Sequence, residues 1–244
     1  MDDLRLLEID VATRFVISPA GRIECERAPD ETPGPRTCFI GCKAGNIVRV
    51  RHDVGEPTAS RIHAFAARAP AWDDAEVLPS CAEEVTGLLS LESPVASVVP
   101  GIIFHLPNGH SHPQALRIVH GDSAEGEVML ARLAKEGMPR PLHDAGFVGP
   151  EHFWPPWCVA VKDGEIASMA FAARMGEAGA EAGVYTLAPF RGLGLAAAVT
   201  ASWSSMAALE GRSLFYSTQM SNHASRRVAA RLGLRPIGAS LSIT

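Results

Sequence analysis

The segment with the clearest chemical potential joins the end of a predicted strand to the start of a predicted helix. It reads Thr186-Leu187-Ala188-Pro189-Phe190-Arg191-Gly192-Leu193-Gly194-Leu195-Ala196. The proline turns the chain, and the two glycines open an Ala-rich amphipathic helix. The first turn of a helix presents unpaired N–H groups at the positive end of the helix dipole, and glycine lets a bulky anion approach that backbone closely. The segment therefore predicts a site for a phosphate or pyrophosphate group.

Two common nucleotide-binding motifs fit this segment less well. A P-loop would end in Gly-Lys-Ser/Thr, which is missing here. Gly192, Gly194 and Ala197 match the glycine pattern of a dinucleotide-binding Rossmann unit. That unit also needs an acidic residue at the end of the next strand to hold a ribose, and here that strand ends in Ser217-Thr218-Gln219. A glycine-rich helix start that binds nothing remains as a further alternative.

Two motifs together resemble one family. The run Arg191–Ala196 fits the pattern Arg/Gln-x-x-Gly-x-Gly/Ala, and the segment from Asn222 to Leu234 is similar to an Asn-x-x-Ala/Ser helix that closes in Gly-Phe or Gly-Leu. Both patterns are typical of the GNAT superfamily, the acyl-CoA-dependent N-acetyltransferases. The resemblance covers about Ala115 to Thr244, and two motifs at the right separation are more specific than either alone.

The resemblance implies a binding site for acetyl-CoA as the acyl-donor cosubstrate. The strand Glu181–Leu187 should splay from the strand Ser213–Thr218, and pantetheine should lie in the opening, bonded to the backbone of Tyr185 and Leu187. The pyrophosphate should lie on the amides of the glycine loop. Asn222 should reach the pantetheine arm, although a plain helix N-cap explains that residue equally well. The implied CoA-binding residues are Tyr185, Thr186, Leu187, Arg191, Gly192, Leu193, Gly194, Leu195, Ala196 and Asn222.

The catalytic residues follow from the same resemblance, with one departure. In many relatives a Tyr seven residues after the Asn protonates the leaving thiolate, and here that position is Ala229. Tyr216, Ser225 or a water is expected to substitute, although Tyr216 equally suits a packed strand aromatic. Glu181 is the only carboxylate on its strand and is the candidate general base, with a solvent-facing strand residue as the alternative. We expect direct attack by the amine, a backbone N–H near Leu187 polarising the carbonyl, and no covalent acyl-enzyme.

Three other groups of residues support weaker hypotheses. His105, His110 and His112 lack a partner carboxylate or Cys at ligand spacing, so an exposed turn is favoured and no metal is expected. Cys38 and Cys42 have no second pair and are interpreted as core thiols. The aromatic loop residues Trp154 and Trp157 are interpreted either as walls of the acceptor pocket or as core aromatics.

The elements that position these residues indicate an α/β fold. From Ala115 the order is β-α-loop-β-β-β-α-β-α-β, with the Ala-rich helix predicted over Gly192–Glu210 and the last strand over Arg235–Ile243. This order predicts a mixed sheet flanked by helices, and the resemblance implies that it is a GNAT-type mixed sheet. Residues 1–113 predict an additional N-terminal α/β lobe, with strands at Val11–Ser18, Arg22–Glu26, Thr37–Cys42, Asn46–His52 and Ala96–His105 and helices at Thr58–Arg68 and Ala82–Leu89. The turn-rich run ending at Pro113 predicts a domain boundary, with a GNAT-type domain at 114–244. The lobe is expected to shape the acceptor side of the site.

The amino-acid composition and net charge argue against some classes of function. Apolar residues make up 47% of the 244 residues and charged residues 20%, which is ordinary globular usage. A net charge of −5 with no Lys/Arg run argues against nucleic acid, and no apolar run is long enough for a membrane span. Five cysteines and an acidic N-terminus favour a reduced, cytoplasmic protein.

The sequence therefore predicts transfer of an acetyl group from acetyl-CoA to an amine in a ternary complex. The acceptor is expected to be a small-molecule amine or a protein amine, with a slight preference for small cations. The oligomeric state is open between monomer and homodimer. Two alternatives remain: a non-catalytic acyl-CoA-binding regulatory module, and an interaction protein that uses the fold as a scaffold.

Overall fold

The structure, a computed structural model, describes residues 1–29, 32–112 and 116–244. Nine strands form one mixed sheet in the order β4-β3-β11-β5-β10-β9-β8-β7-β6, and β1 and β2 form a separate hairpin. The strands are β1 Phe15–Ile17, β2 Ile23–Glu26, β3 Thr37–Cys42, β4 Gly45–Val50, β5 Val98–Leu106, β6 Arg117–His120, β7 Trp157–Lys162, β8 Glu165–Met175, β9 Gly179–Thr186, β10 Ser213–Gln219 and β11 Arg235–Ile243. The helices are α1 Asp3–Arg14, α2 Glu56–Arg68, α3 Ala82–Glu92, α4 Ala124–Glu136, α5 Arg140–His143, α6 Leu195–Trp203 and α7 His223–Arg231. The expected α/β class is confirmed.

The run from β6 to β11 has the element order that the sequence predicted. Ser123 accepts a hydrogen bond from Gly126 N as the N-cap of α4, and Gly137 ends that helix at a φ of 86°. The turn between β7 and β8 places both Asp163 and Gly164 at positive φ, 54° and 82°, as a tight hairpin requires. The strand predicted from Ala115 begins at Arg117 among the described residues, and Ala115 itself lies outside them.

The predicted strand Val11–Ser18 is wrong over most of its length. Asp2 caps α1 by accepting a hydrogen bond from Arg5 N, and the helix continues to Arg14 before three residues form β1. The helix buries Leu7 and Val11 on one side, at the four-residue spacing of a helical face. The β-branched residues around Val11 suggested a strand, and packing against the sheet decides for the helix.

The helix predicted over Gly192–Glu210 is shorter than expected. It begins after Gly194, which has a φ of 82°, and ends at Trp203. Ser204 Oγ then donates to Ala201 O, a local side-chain bond that competes with continued helix. A 3₁₀ turn at Ala207–Leu209 leads to β10.

Helices cover both faces of the sheet. On the first face, here called the α6 face, α6 and α7 pack on β10 through a core that includes Trp203 and Tyr216, and α2 and α3 pack on β3 and β11. On the second, the α1 face, α1 and the β1–β2 hairpin pack on Ile103 and Phe215, and α4 and α5 pack on Met169. No helix in the described ranges combines the length and the apolar character of a membrane span.

The sheet is continuous across the two predicted domains. β5 lies between β10 and β11 and pairs antiparallel with both, and β3 pairs with β11. The predicted boundary at 113/114 lies outside the described residues, and the division into 1–113 and 114–244 remains a prediction. Strands from both segments nevertheless contribute to one sheet.

Candidate active site

The sheet opens between β9 and β10. These two strands run parallel and pair only at Gly179–Ser213, Ala180–Leu214 and Glu181–Phe215. Beyond Glu181, β9 continues to Thr186 along β8, and β10 continues to Gln219 along β5. The predicted splay is therefore present, and its base lies at the Glu181–Phe215 pair.

The glycine loop lies at the open end of this splay. Leu187 leads into a 3₁₀ turn at Ala188–Phe190, after which Gly192 and Gly194 both take positive φ values, 81° and 82°. A Cβ on Gly192 would meet no atom within 4 Å, so glycine is needed there for its backbone conformation and leaves an open approach to the helix start. Arg191 Nε donates to Thr186 O at 3.1 Å, which ties the loop to the end of β9. Leu193, Leu195 and Ala196 follow in the same loop and first helical turn.

The backbone contacts expected at Tyr185 and Leu187 need correction. Leu187 N donates to Ala167 O at 3.0 Å, and Tyr185 O accepts from Ser168 Oγ at 3.1 Å. Backbone groups of successive strand residues point alternately to the two neighbouring strands. The groups that face the opening therefore belong to Val184 and Thr186, and the amide of Leu187 is not available to polarise a carbonyl.

Tyr216 and Ser225 are brought together on the α6 face. Their hydroxyl groups lie 2.7 Å apart, and the side chain of Asn222 accepts from Ser225 N at 3.0 Å as the N-cap of α7. Tyr216 is 4% exposed, and this burial raises the pKa of its hydroxyl, an effect that the bond with Ser225 partly opposes. Ser225 is half-buried. The pair thus offers a protonated phenol behind a more accessible hydroxyl.

Glu181 lies on the opposite face and does not converge with this pair. Its carboxylate accepts from Arg174 Nη1 at 2.8 Å and from Ser217 Oγ, and Arg174 Nη2 also donates to Glu26 at 2.7 Å. Burial alone would raise the pKa of Glu181, but the charges of Arg174 and Arg14 and the bond from Ser217 outweigh it and lower that pKa. A buried carboxylate that accepts two hydrogen bonds and has a lowered pKa is poorly suited to act as a general base. This corrects the expectation that Glu181 is the base.

The sequence reasoning missed Arg174 and its partners. Arg174 is the one cationic residue of β8, and the next strand along the chain carries Glu181. A lone Arg in an apolar strand beside a lone Glu was the available signal. Asp10, also buried, lies in the same charged region and was not identified, since the predicted strand began at Val11 and no element was predicted before it.

Two positions bear on the missing Tyr and on covalent catalysis. Ala229 is fully buried in the core of the α6 face, and its methyl group has no proton to donate to a thiolate. Cys158 donates to Val199 O at 3.3 Å, and its burial raises the pKa of the thiol to about 12. A thiol in this state is a poor nucleophile.

The two tryptophans of the aromatic loop have different environments. Trp157 is 3% exposed and packs against Phe153, so it is a core residue. Trp154 is half-buried, contacts Phe171 edge to face at 5.5 Å, and lines a surface cleft. Only Trp154 therefore retains the pocket interpretation.

The histidine and cysteine hypotheses concern other parts of the chain. Cys38 and Cys42 are buried on β3, as core thiols should be. Within 1–29, 32–112 and 116–244, no group of three or more His, Cys, Asp or Glu side chains is placed to hold a metal ion.

Comparison with known proteins agrees with the resemblance seen in the sequence. Residues 157–239 match the family model described as GNAT acetyltransferase. This segment contains the splayed strands, the glycine loop and α7, so the match to the GNAT acetyltransferase family lies in the C-terminal half of the chain, as predicted. No curated protein matches the chain.

Several solved structures are similar at low sequence identity. A GCN5-related N-acetyltransferase from Kribbella flavida is 15% identical, with 99% of this chain and 93% of that chain covered and a TM-score of 0.46. A GCN5-related N-acetyltransferase-like protein from Streptococcus suis 89/1591 is 16% identical, with 88% and 86% covered and a TM-score of 0.46. A GNAT-family structure from Novosphingobium aromaticivorans DSM 12444 is 20% identical, with 62% and 66% covered and a TM-score of 0.41.

Proposed function

We propose that the protein transfers an acetyl group from acetyl-CoA to an amine in a ternary complex. The observation that carries the proposal is the parting of β9 and β10 beyond Glu181, directly beside the glycine loop at the start of α6. The GNAT match over residues 157–239 supports the same activity class. Because the splay and the loop adjoin, one extended ligand can occupy both.

The residues of the opening suit the parts of acetyl-CoA. The open space at Gly192 and the helix start behind it suit the pyrophosphate. The C=O of Val184 and the N–H of Thr186 suit the amides of pantetheine, while the C=O of Thr186 is taken by Arg191. The N–H of Val184, nearer the base of the splay, suits the thioester carbonyl. Asn222 caps α7 by accepting from Ser225 N through its side-chain oxygen, and the NH2 group of the same amide is a donor for the pantetheine arm.

The chemistry needs modest help from the protein. Acetyl-CoA supplies a thioester whose carbonyl carbon bonds to the amine nitrogen as the C–S bond breaks and the sulfur leaves as a thiolate. Tyr216 keeps its proton because its pKa is raised, and either hydroxyl of the pair can be the donor; in the arrangement proposed here, the Tyr216 hydroxyl donates to Ser225 Oγ. The Ser225 hydroxyl is then free to donate to the sulfur. Since a thiol has a pKa of about 8.5, the thiolate departs without a strong acid.

The other protons and nucleophiles follow from the same geometry. The amine loses its proton to water, since Glu181 is held in an ion pair by Arg174. Cys158 is bonded to the α6 backbone and its pKa is high, so the amine attacks the thioester directly and no acyl-enzyme forms. With all five cysteines unpaired, the reduced cytoplasm is the proposed compartment.

One observation favours a second function. Ala229 is buried where many relatives carry the catalytic Tyr, which fits a module that binds acyl-CoA without turnover. Release of free thiol from acetyl-CoA, measured across a panel of primary amines, separates the two. Thiol release with at least one amine supports the enzyme, and acetyl-CoA binding without thiol release for any amine supports the binding module.

The roles of Ser225 and Tyr216 are tested in the same assay. Ser225→Ala is expected to lower kcat by about 10- to 100-fold, below the full range of general acid catalysis because the thiolate leaves readily. Binding of acetyl-CoA should stay unchanged. Ser205→Ala, the same change at an exposed serine, is the control. An unchanged kcat in Ser225→Ala would exclude this role.

A further inference from the structure

A cleft on the α1 face, beside the C-terminal end of β8, has no role so far. It lies between the β1–β2 hairpin, the Trp154 loop and the end of β8, with a volume of about 330 Å³. Its walls include Val16, Ala28, Trp154 and Met175 and two charged residues, Glu26 and Arg27. Arg27 Nε donates to the carbonyl oxygens of Ala12 and Phe15, which ties that guanidinium group to the backbone of the neighbouring segment. This volume is at the small end of the range for small-molecule sites.

The acceptor must enter from this side. On the α6 face the splay is closed by α6 and α7, and Ser225 of α7 is hydrogen-bonded to Tyr216 of β10. With pantetheine between the strands, a second substrate reaches the thioester only from the α1 face. The cleft lies on that face because its hairpin wall belongs to the α1-face core through Phe15 and Ile23.

Two chains of contacts connect the cleft to the splay. The first is ionic: Glu26 in the cleft wall bonds Arg174, Arg174 bonds Glu181, and Ser217 donates to Glu181 at the base of the splay. The second is aromatic: Trp154 packs on Phe171, whose ring covers Gly183 just beyond that base. A Cβ on Gly183 would lie 2.5 Å from the Phe171 ring, so this ring lies directly over Gly183 in the open part of β9.

The cleft has the chemistry of an amphipathic cation site. The indole of Trp154 and the side chains of Val16 and Met175 offer an apolar surface, and Met175 is 40% exposed although it is a large apolar residue. Arg174 Nη2 donates a hydrogen bond to Oε2 of Glu26. Within the part of the chain that the structure describes, Oε1 has no donor and so can accept from an ammonium group. A Trp face also attracts organic cations.

We propose that this cleft binds the acceptor, and that the acceptor is a primary amine carrying an aromatic or branched apolar group. The apolar group lies against Trp154 and Met175, and the ammonium group lies toward Glu26 and the base of the splay, where it is deprotonated before attack. This inference rests on the proposed function, which supplies the acetyl donor and the direction of transfer. The N-terminal hairpin thereby gives the chain its acceptor preference.

Equilibrium titration into the whole protein, with and without saturating CoA, tests the proposal without requiring turnover. The probes are 2-phenylethylamine, ethylamine, which lacks the ring, and 2-phenylethanol, which lacks the charge. Because burial of a phenyl group is favourable, 2-phenylethylamine should bind at least about tenfold more tightly than ethylamine. It should also bind more tightly than 2-phenylethanol.

A pair of matched variants locates the binding. Met175→Lys places a cation in the cleft and should weaken 2-phenylethylamine at least about tenfold, while acetyl-CoA binding stays unchanged. Leu91→Lys, the same kind of change at an apolar side chain 80% exposed on α3, should have no effect. Thermal unfolding tests whether both variants fold. If Met175→Lys does not fold, Trp154→Ala takes its place.

The outcomes separate this inference from the proposed function. Equal binding of the three probes, no binding of 2-phenylethylamine, or equal affinity in Met175→Lys and wild type would overturn the acceptor cleft. A wild-type protein that does not bind acetyl-CoA would overturn the proposed function instead, whatever the amine titration gives.

Discussion

The ion pairs around Arg174 illustrate how burial decides the role of a single residue. By sequence, Glu181 is the isolated carboxylate that a general base requires, and in the fold it shares Arg174 with Glu26. With its side chain 4% exposed, Glu181 stays charged only because those partners compensate for lost hydration. The same contacts that keep it charged also keep it from accepting a proton near neutral pH.

Glu181→Gln is therefore expected to affect stability more than proton transfer. The substitution removes one charged partner of the buried Arg174. The free energy of unfolding, measured by urea denaturation, should therefore fall by about 3 kcal/mol. The pH at which kcat falls on the acidic side of the pH–rate profile should be the same as in wild type. Glu165→Gln, at an exposed position on β8, is the control. An acidic limb that disappears while stability is unchanged would restore Glu181 as the base.

At the scale of elements, α1 buries the carboxyl group of Asp10 against the sheet, away from solvent. Asp10 is fully buried, and its nearest cation is Arg14, with 3.7 Å between Asp10 Oδ2 and Arg14 Nη1. Both carboxylate oxygens lack a hydrogen-bond donor among the described residues. Desolvation raises the pKa of Asp10 to about 7, with Arg14 opposing the shift and Glu181 adding to it.

This raised pKa predicts a specific pH dependence of stability. Between pH 4 and 7 the folded Asp10 holds a proton that the unfolded chain has lost, so its contribution to stability falls as pH rises through this window. Asp10→Asn removes that loss. The free energy of unfolding of the variant minus that of wild type should therefore be larger at pH 8 than at pH 5. Urea unfolding at the two pH values measures the difference, with Asp144→Asn on the exposed α5 end as control. An equal difference at both pH values would contradict the assignment.

The elements differ in how well the sequence predicts them, for physical reasons. β3 and β11 were predicted at their observed bounds, because apolar runs between turns leave little choice. The α1 helix was missed because its apolar stripe is interrupted by buried Asp10 and Thr13, which only tertiary partners explain. In the site, the glycine loop is local and was predictable, whereas the pairing of Glu181 with Arg174 depends on the register of β8 with β9.

At the scale of the whole molecule, β5 joins the two sequence segments. Local patterns predicted this strand but not its position between β10 and β11, because pairing across more than a hundred residues leaves no local signal. Its removal would leave both neighbours with unpaired backbone along their central residues. Unpaired strand edges in the middle of a sheet are costly and prone to aggregation.

A fragment of residues 116–244 is therefore expected not to fold alone. Circular dichroism and amide dispersion in NMR spectra should show no cooperative structure, although the fragment contains the whole segment that matches the GNAT model. Co-expression with residues 1–112 is the control and should restore a folded complex. A cooperative thermal transition of the isolated fragment would show that 116–244 is an autonomous domain.

The central claim is that the glycine loop before α6 holds the pyrophosphate of acetyl-CoA, and calorimetric titration of acetyl-CoA tests it most directly. Gly192 and Gly211 have φ values of 81° and 75°, and a Cβ on either meets no atom within 4 Å. Gly192→Val and Gly211→Val therefore carry similar backbone strain, but only the first adds bulk at the proposed cradle. We expect wild type and Gly211→Val to bind acetyl-CoA alike and Gly192→Val to bind at least about tenfold more weakly. Equal affinity of all three proteins, or no binding by any of them, would contradict the account.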